Sequence, residues 1–297
     1  MKNNKRKITK AVITCAGYGT RFLPATKNQP KEMLPIIDKP IIHHLVQEAV
    51  DSGIEDIILV TRAGFHILED YFDSHFEIEE ALRKSGKDEL HKMVREIPGM
   101  ANFIYVRQHK LLPYGNGSPL MAAKSVIDDD EAIVYMFGDD MTLSKTPVVK
   151  QLIDIYEKYE PDAVIGGQEV PDELVHKYGI FDYLEDANIP NQLKGVIEKP
   201  KLEDAPSRTA QFGRFILSPT VVKELFDTPI GKGGELWLTD ALDRVSKKGG
   251  VVIGQPVEGE WLTTGDPLHY LKATLKFAMQ RKDIKDDLKE FLKEIIK

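Results

Sequence analysis

The sequence predicts an α/β protein with a mostly parallel central sheet, flanking helices, a small antiparallel addition and a C-terminal helical tail. Short apolar runs of strand length alternate with segments of helical periodicity along the first half of the chain. Between residues 178 and 217 this alternation gives way to short apolar runs with brief links. Residues 283–297 then place their apolar side chains on one helical face.

The parallel part of the sheet is predicted by short apolar runs that are separated by helical segments. Residues 41–50 have helical spacing that ends before Gly53. Residues 148–159 predict another helix, with Thr146 as its expected cap and Pro147 in its first turn. Buried strands are predicted for residues 11–15, 57–60, 104–106, 133–137 and 163–166. In such sheets ligands bind beyond the carboxyl ends of the strands, so the residues after Cys15, Val106 and Phe137 are the expected site.

The last part of the chain predicts two additions to this sheet. Residues 178–183, 193–198 and 210–217 suit strands without a long helix between them, which indicates antiparallel pairing. In the tail the favoured interpretation is a helix packed on its own core, and the alternative is a contact between subunits. One helical face of the tail carries its apolar residues, Ile284, Leu288, Phe291, Leu292 and Ile295.

Composition and charge exclude several classes of protein. The chain has 297 residues, and its 40 Lys and Arg against 47 Asp and Glu give a net charge of −7, which disfavours a nucleic-acid partner. The single cysteine, Cys15, excludes an internal disulfide. No apolar run approaches the roughly 20 residues of a membrane span, and the basic N-terminus lacks an apolar signal core. A cytoplasmic protein without a membrane partner is therefore expected.

The chain is expected to form one unit rather than several domains. No repeat, low-complexity segment or linker divides it. We therefore predict a single domain over residues 1–297, with a core of residues 8–280 and a C-terminal amphipathic helix over residues 281–297.

A glycine-rich turn follows the first predicted strand. Residues 16–21 read Ala-Gly-Tyr-Gly-Thr-Arg, and two glycines let backbone amides approach a phosphate chain closely. A dinucleotide site of an oxidoreductase would need a third glycine, but Phe22 stands there, and the Gly-Lys-Ser/Thr of a P-loop is absent. A purely structural turn remains the alternative.

A basic, proline-stiffened loop follows this turn. Residues 27–35 read Lys-Asn-Gln-Pro-Lys-Glu-Met-Leu-Pro, which places Lys27 and Lys31 close after Arg21. Three cations beside a glycine turn suit a polyphosphate. The alternative is a solvated basic loop.

These segments together closely resemble the bacterial UTP–glucose-1-phosphate uridylyltransferases, a family of nucleotide-sugar pyrophosphorylases. The resemblance spans about residues 8–280 and continues in order through Arg107-Gln108, residues 137–140 (Phe-Gly-Asp-Asp), Tyr178-Gly179, residues 198–200 (Glu-Lys-Pro) and residues 238–240 (Leu-Thr-Asp). It implies a Rossmann-like, glycosyltransferase-A-type nucleotidyltransferase core. Relatives are commonly homo-dimers or homo-tetramers, so the same assembly is expected.

The resemblance also implies the reaction. Glucose 1-phosphate would attack the α-phosphorus of UTP, and UDP-glucose and pyrophosphate would form with help from Mg²⁺. One alternative is a relative that uses dTTP or another sugar 1-phosphate. Another is a catalytically impaired paralogue that only binds nucleotide-sugar.

The family's site residues carry over onto matching positions. The implied catalytic residues are Arg21, Lys31, Asp139 and Lys199, with Asp139 also the implied Mg²⁺ ligand. The implied nucleotide-binding residues are Ala16, Gly17, Gly19, Thr20, Gln108 and Gly117. The implied sugar-binding residues are Gly179, Glu198, Lys199 and Gly213.

Two segments depart from the family pattern. Residues 115–119 read Gly-Asn-Gly-Ser-Pro where the family usually has Gly-Leu-Gly-His-Ala, so Ser118 leaves the base preference open. Thr263 stands where the family carries a second metal-binding aspartate. Three consequences are open: Asp140 or Asp266 supplies the carboxylate, Asp139 binds the metal with substrate phosphates and more water, or efficient catalysis is lost.

Overall fold

Residues 7–295 are described by the structure, a computed structural model of the chain. The first six residues and the last two, which belong to the predicted basic N-terminus and helical tail, lie outside this range. The strands are β1 (Lys10–Cys15), β2 (Pro35–Ile36), β3 (Lys39–Pro40), β4 (Asp56–Thr61), β5 (Asn102–Arg107), β6 (Ile133–Phe137), β7 (Asp140–Leu143), β8 (Ala163–Glu169), β9 (Gly179–Tyr183), β10 (Leu193–Glu198), β11 (Thr209–Leu217), β12 (Val252–Pro256) and β13 (Glu260–Thr263). The α-helices are α1 (Ile41–Asp51), α2 (Ile67–Tyr71), α3 (Phe76–Lys84), α4 (Asp88–Glu96), α5 (Ser118–Ala123), α6 (Val148–Tyr159), α7 (Pro219–Phe226), α8 (Leu238–Lys247), α9 (Pro267–Ala278) and α10 (Lys285–Ile295).

The central sheet joins a parallel half to an antiparallel half. Within residues 7–295 its main path runs β10-β9-β11-β6-β1-β4-β5, and β8 and β12 extend it beside β11. Strands β6, β1, β4 and β5 are parallel to one another. Strand β11 is antiparallel to β6, β8 and β9, and β9 is antiparallel to β10. The predicted fold class is confirmed, including the antiparallel addition.

Both faces of the inner parallel strands β1, β4 and β6 are buried. Ile13 of β1 packs into one apolar cluster and its neighbour Val12 into the other, and neither side chain is exposed. Helices on the two faces cover these clusters: α1 and α6 on one side, α5, α7 and α8 on the other. This explains why the strands appear in the sequence as continuous apolar runs rather than as an alternating pattern.

A buried ion pair joins helix α1 to the middle of the sheet. The guanidinium of Arg214, 0% exposed, donates to Glu48 from Nε (3.0 Å) and from Nη2 (2.7 Å). Arg214 Nη2 also donates to the carbonyl oxygen of Asp140 at 2.7 Å. Glu48 accepts further hydrogen bonds from the Thr142 hydroxyl and the Val149 amide. The pair therefore ties α1, β7, α6 and β11 together.

The predicted cap of α6 is wrong. The helix covers the predicted residues, but Pro147 occupies the N-cap position and no side chain caps it locally. The amide of Val149 in the first turn is satisfied by Glu48 Oε1 at 3.2 Å. A carboxylate from another helix thus replaces the hydroxyl of Thr146, which sequence proximity alone had suggested.

The tail forms the predicted helix, α10, but its predicted packing on the core is wrong. No residue of α10 is buried, and the Phe291 and Ile295 side chains are 56% and 62% exposed. Arg281, before the helix, pairs with Asp38 (2.6 Å) and with Asp283. Periodicity shows that a helix face is apolar but not which surface covers it. A subunit contact on this face stays a prediction. Among the described residues no helix is long and apolar enough to cross a membrane.

One of two adjacent histidines near the start of α1, His44, predicts a loss of stability in acid. His44 packs against Phe277 with ring centroids 4.9 Å apart, and its Nε2 is buried without a hydrogen-bond partner among the described residues. Burial, followed by the charge of Lys39, lowers the pKa of His44 to about 4. Between this value and the ordinary pKa of about 6.5, the unfolded chain binds a proton that the folded chain does not. Stability contributed by the neutral ring is therefore lost as the pH falls through this window.

We expect His44→Leu to reduce this acid sensitivity. On lowering the pH from 7.5 to 5, the unfolding free energy of the wild type should fall by about 1–2 kcal/mol more than that of the variant. Urea unfolding at both pH values measures the difference. Equal losses in the two proteins would show that His44 is not held neutral by the fold.

Candidate active site

A cavity of about 540 Å³ lies where β1, β5 and β6 end at the carboxyl edge of the sheet. The residues that follow Cys15, Val106 and Phe137 meet there, as the parallel topology predicts. The sequence-predicted residues that line the cavity are Ala16, Gly17, Gly19, Thr20, Arg21, Lys31, Gln108 and Asp139. The remaining ones do not line it: Gly117, Gly179, Glu198, Lys199 and Gly213. A second cavity, of about 460 Å³ between α9 and β13, contains none of these residues.

The glycine turn forms one wall of the cavity. Gly19 has φ +61°, a left-handed conformation in which a side chain is strained. Its carbonyl oxygen accepts a hydrogen bond from the Thr26 hydroxyl at 2.7 Å. A Cβ on Gly17 would lie 3.8 Å from Lys31 Cε, so the turn and the basic loop are adjacent. Lys27, on the same loop, is exposed and does not line the cavity.

Arg21, Lys31 and Asp139 form a charged cluster on the cavity wall. Lys31 Nζ donates to Asp139 Oδ2 at 2.5 Å, and the two side chains are only 19% and 24% exposed. Arg21 Nη1 donates to the carbonyl oxygen of Gly265 at 3.2 Å. Asp139 Oδ2 and Arg21 Nη1 lie 3.2 and 3.5 Å from the place that a Cβ on Gly265 would occupy. The cluster thus joins the loops after β1, β6 and β13.

The pair of Lys31 and Asp139 is charged on both sides. Burial lowers the pKa of Lys31, but the nearby carboxylates of Asp139 and Glu32 outweigh it and the net pKa is raised. Burial likewise raises the pKa of Asp139, but Lys31 outweighs it and the net pKa is lowered. Each charge therefore stabilises the other, which keeps a cation and an anion ready beside the glycine turn.

Glu32 is a buried carboxyl group of the cavity that the sequence did not assign to the site. It is 1% exposed, and its Oε2 has no hydrogen-bond partner within residues 7–295. Burial raises the pKa of Glu32 to about 7, although Lys31 partly offsets the effect. The signal in the sequence that could have assigned Glu32 to the site was its position next to Lys31 in a motif of the family.

Asp140 does not face the cavity. Its Oδ2 accepts from the Gly213 amide and its Oδ1 from the Trp261 indole, both at 2.8 Å. Burial and the Asp139 charge raise the pKa of Asp140 to about 6. Gly213 itself is packed behind the site, where a Cβ would come within 2.3 Å of Phe137 Cβ. Its buried position supports the Asp139–Asp140 turn rather than the cavity lining.

The two candidates for the second metal carboxylate, Asp140 and Asp266, both have other contacts. Asp266 caps α9, because its Oδ1 accepts from the His269 amide and its Oδ2 contacts His269 Nδ1 at 2.6 Å. Asp140 is engaged as described, and neither carboxylate lines the cavity, so a role of either residue toward a metal stays a prediction. Thr263 Oγ1 accepts from the Gly265 amide at 3.3 Å. Among the described residues no three His, Cys, Asp or Glu side chains are grouped for a metal.

A magnesium ion nevertheless fits the remaining donors. Asp139 presents a charged carboxylate at the cavity wall, and Mg²⁺ in nucleotide sites is commonly held by one or two carboxylates with substrate phosphates and water. The donor set is therefore that of a site completed by the triphosphate, not of a cage built by protein alone.

The loop of residues 114–119 forms the opposite wall. Its backbone is fastened to the segment before α8: Gly117 N donates to the Leu236 carbonyl at 3.0 Å, and Leu236 N donates to the Tyr114 carbonyl at 2.7 Å. Gly115 has φ +134°, and a Cβ there would lie 2.3 Å from the Leu236 oxygen. The buried Ser118 hydroxyl donates to the Pro113 carbonyl. The altered residue at 118 therefore stabilises the loop and does not line the cavity.

Several lining residues were not assigned to the site from the sequence. Trp237 immediately precedes the Leu-Thr-Asp motif and Asn116 lies within the altered segment of residues 115–119, and these positions were the available signals, whereas Tyr114 and Glu235 lie outside the quoted motifs. These residues are Tyr114, Asn116, Glu235 and Trp237.

Three of the four predicted sugar-binding residues lie on the β9–β10 side of the sheet edge, whereas Gly213 lies on β11 behind the cavity. Gly179 and Glu198 are direct partners across the two strands. Lys199 has φ +49°, and its amide donates to the Tyr178 carbonyl at 3.0 Å. Lys199 Nζ is 3.1 Å from Glu198 and 4.9 Å from the ring centroid of Trp237, which lines the cavity. The charged end of Lys199 thus stands at the cavity rim.

Comparisons with known proteins agree with this arrangement. A model of the family described as nucleotidyl transferase matches residues 10–280. The chain is 41% identical over 291 residues to the UTP–glucose-1-phosphate uridylyltransferase of Bacillus subtilis (strain 168), covering 98% of both chains. It is similar to a UTP-bound UGPase from Acinetobacter baumannii (TM-score 0.85, 34% identity, 97% and 99% covered). It is also similar to a UDP-glucose pyrophosphorylase complexed with UDP-glucose (TM-score 0.79, 36% identity, 92% and 100% covered).

Proposed function

Because the chain belongs to the nucleotidyl transferase family, among its bacterial UTP–glucose-1-phosphate uridylyltransferases, we propose that it forms UDP-glucose and pyrophosphate from UTP and glucose 1-phosphate. The observation that carries this proposal is the cluster of Arg21, Lys31 and Asp139 beside the glycine turn. The reaction joins two anions, so its main demand is to hold them in line and to neutralise the charge that develops on the leaving pyrophosphate.

The nucleotide half of the cavity meets this demand with backbone and cations. The turn of Ala16, Gly17, Gly19 and Thr20 would wrap the triphosphate, while Arg21 and Lys31 neutralise it. Gln108, at the end of β5, would hydrogen-bond the uracil edge. Gly117 would act indirectly, by holding the backbone of the base-side loop.

The sugar half would be read from β9 and β10. Gly179 leaves room for the sugar ring, Glu198 accepts hydrogen bonds from its hydroxyl groups, and Lys199 pairs with its phosphate. The phosphate oxygen is already an anion near neutral pH, so no side chain has to remove a proton from it. Orientation and charge neutralisation supply the rate enhancement.

Asp139 would hold the magnesium ion that the family typically uses. When bound, the ion neutralises phosphate oxygens of the triphosphate. Gly213 positions the Asp139–Asp140 turn from behind through its amide hydrogen bond to Asp140.

Pyrophosphate release tests the proposed reaction. Purified protein is mixed with Mg²⁺, glucose 1-phosphate and either UTP or dTTP. Release with UTP supports the proposal, and release only with dTTP transfers it to a thymidylyltransferase. Tight UDP-glucose binding by calorimetry without turnover of any pair would instead support a nucleotide-sugar-binding paralogue.

Thr263→Asp should increase the apparent affinity of the enzyme for magnesium, so that lower concentrations of the ion support turnover. Thr263 Oγ1 and Asp139 Oδ2 both lie within 3.4 Å of the place for a Cβ on Gly265, so a new carboxylate would be near Asp139. We expect the Mg²⁺ concentration for half-maximal turnover to fall about tenfold, since affinity rises with ligand charge. Thr263→Asn is the neutral control. Identical magnesium titrations for both variants would show that the new carboxylate does not reach the ion.

A further inference from the structure

A polar side chain that no motif includes lies against the predicted sugar-binding residues. Gln211 is on β11, between Ala210 and Phe212, which are 0% and 2% exposed. A Cβ on Gly179 would come within 2.5 Å of Gln211 Nε2 and 3.0 Å of Glu198 Oε2. The amide and the carboxylate therefore stand side by side over the same glycine.

The amide of Gln211 is incompletely satisfied. Its Oε1 is buried and has no hydrogen-bond partner among residues 7–295. Leaving such an acceptor unpaired costs about 1–3 kcal/mol, so a buried polar atom of this kind calls for an explanation. A leucine of similar volume would occupy the same place without an unpaired acceptor. The fold alone gives no reason for glutamine here.

We propose that Gln211 hydrogen-bonds a hydroxyl group of the sugar phosphate beside Glu198 and sets the enzyme's selectivity among sugar 1-phosphates. This inference rests on the proposed function. A carboxylate only accepts hydrogen bonds, whereas an amide both accepts and donates. The two side chains together offer a donor and several acceptors to neighbouring hydroxyl groups of a hexose ring, and the absence of a side chain on Gly179 lets them stand side by side.

Gln211→Leu tests the role of the amide. We expect kcat/KM for glucose 1-phosphate to fall about 10- to 100-fold, chiefly through KM, while KM for UTP is unchanged. We also expect the melting temperature to stay equal or to rise, because an unpaired buried acceptor is replaced by an apolar group. A merely structural glutamine would give the reverse pattern, with a lower melting temperature and an unchanged KM. Gln255→Leu on β12, away from the cavity, is the matched control.

Monodeoxy analogues of glucose 1-phosphate identify the hydroxyl. For one of the analogues, the wild type should prefer the parent sugar phosphate and Gln211→Leu should lose that preference. The variant should keep the wild-type preference against each of the other analogues. Equal discrimination by both proteins against every analogue overturns the role of Gln211. If Gln211→Leu does not fold, Gln211→Asn, which withdraws the amide by one methylene group, is measured in its place with the same expectation.

The test separates this inference from the proposed function. Lack of turnover by the wild type counts against the reaction alone, because calorimetry with the same sugar phosphates still reports on Gln211. In that experiment the wild type should bind glucose 1-phosphate more tightly than the variant does. Equal binding, or no binding of any sugar phosphate to the wild type, overturns the role of Gln211.

Discussion

Asp139→Asn is expected to lower kcat by about 10²- to 10³-fold with little change in folding. Asparagine keeps the size of the side chain and an oxygen that can accept from Lys31 at the position of Oδ2. It loses the negative charge that would hold magnesium and that keeps Lys31 charged. Pyrophosphate release at saturating substrates, measured over a range of Mg²⁺ concentrations, gives the effect.

Asp266→Asn is the matched control for this change. Asp266 lies in the same segment as Thr263, but its oxygens cap α9, and asparagine caps a helix as well as aspartate does. We expect activity within about twofold of the wild type. Near-normal turnover of Asp139→Asn would show that the metal assignment is wrong. A collapse of activity in Asp266→Asn would instead identify this second carboxylate as the one that matters.

Lys31→Met is expected to reduce kcat/KM for UTP by about 10²- to 10³-fold. The change removes a cation from the glycine turn and also leaves the Asp139 carboxylate uncompensated, so a triphosphate would meet a like charge. Loss of one partner of a largely buried pair also destabilises the fold, by less than the 3–5 kcal/mol of a fully buried pair. Steady-state kinetics with varied UTP and urea unfolding measure the two effects separately.

Lys27→Met on the same loop provides the comparison. Its side chain is exposed and outside the cavity, so both kinetics and stability should stay close to the wild type. Similar losses in the two variants would mean that the loop acts through its overall charge rather than through the contact of Lys31 with Asp139.

The features that depend on residues close to one another in the sequence were predictable from it. Eight strands lie where apolar runs predicted them, namely β1, β4, β5, β6, β8, β9, β10 and β11, whereas β2, β3, β7, β12 and β13 had no prediction. The glycine turn and basic loop lie together because few residues separate them. Their identity as a phosphate site needed the ordered set of motifs, since a Gly-x-Gly turn alone is weak.

The parts that depend on contacts across strands were not predictable. Gln211 meets Gly179 only because β11 lies beside β9, and a single glutamine in an apolar run has no spacing signal. The prediction of the α6 cap failed for the same reason, because Glu48, which accepts from the Val149 amide, lies about a hundred residues earlier in the chain. In α10 the helical periodicity correctly predicted a helix, but it did not identify which surface the apolar face contacts, and no residue of the helix is buried.

The buried pair of Glu48 and Arg214 has a consequence for genetic screens of this enzyme. Neither side chain lines the cavity, yet Arg214 holds the carbonyl of Asp140, next to Asp139. Mutations at position 48 or 214 would therefore be recovered as inactive alleles alongside those at Arg21, Lys31 and Asp139. Raised growth temperature would aggravate the defects at 48 and 214 strongly, whereas the losses at the three cavity positions, which act first on turnover, would depend on temperature less.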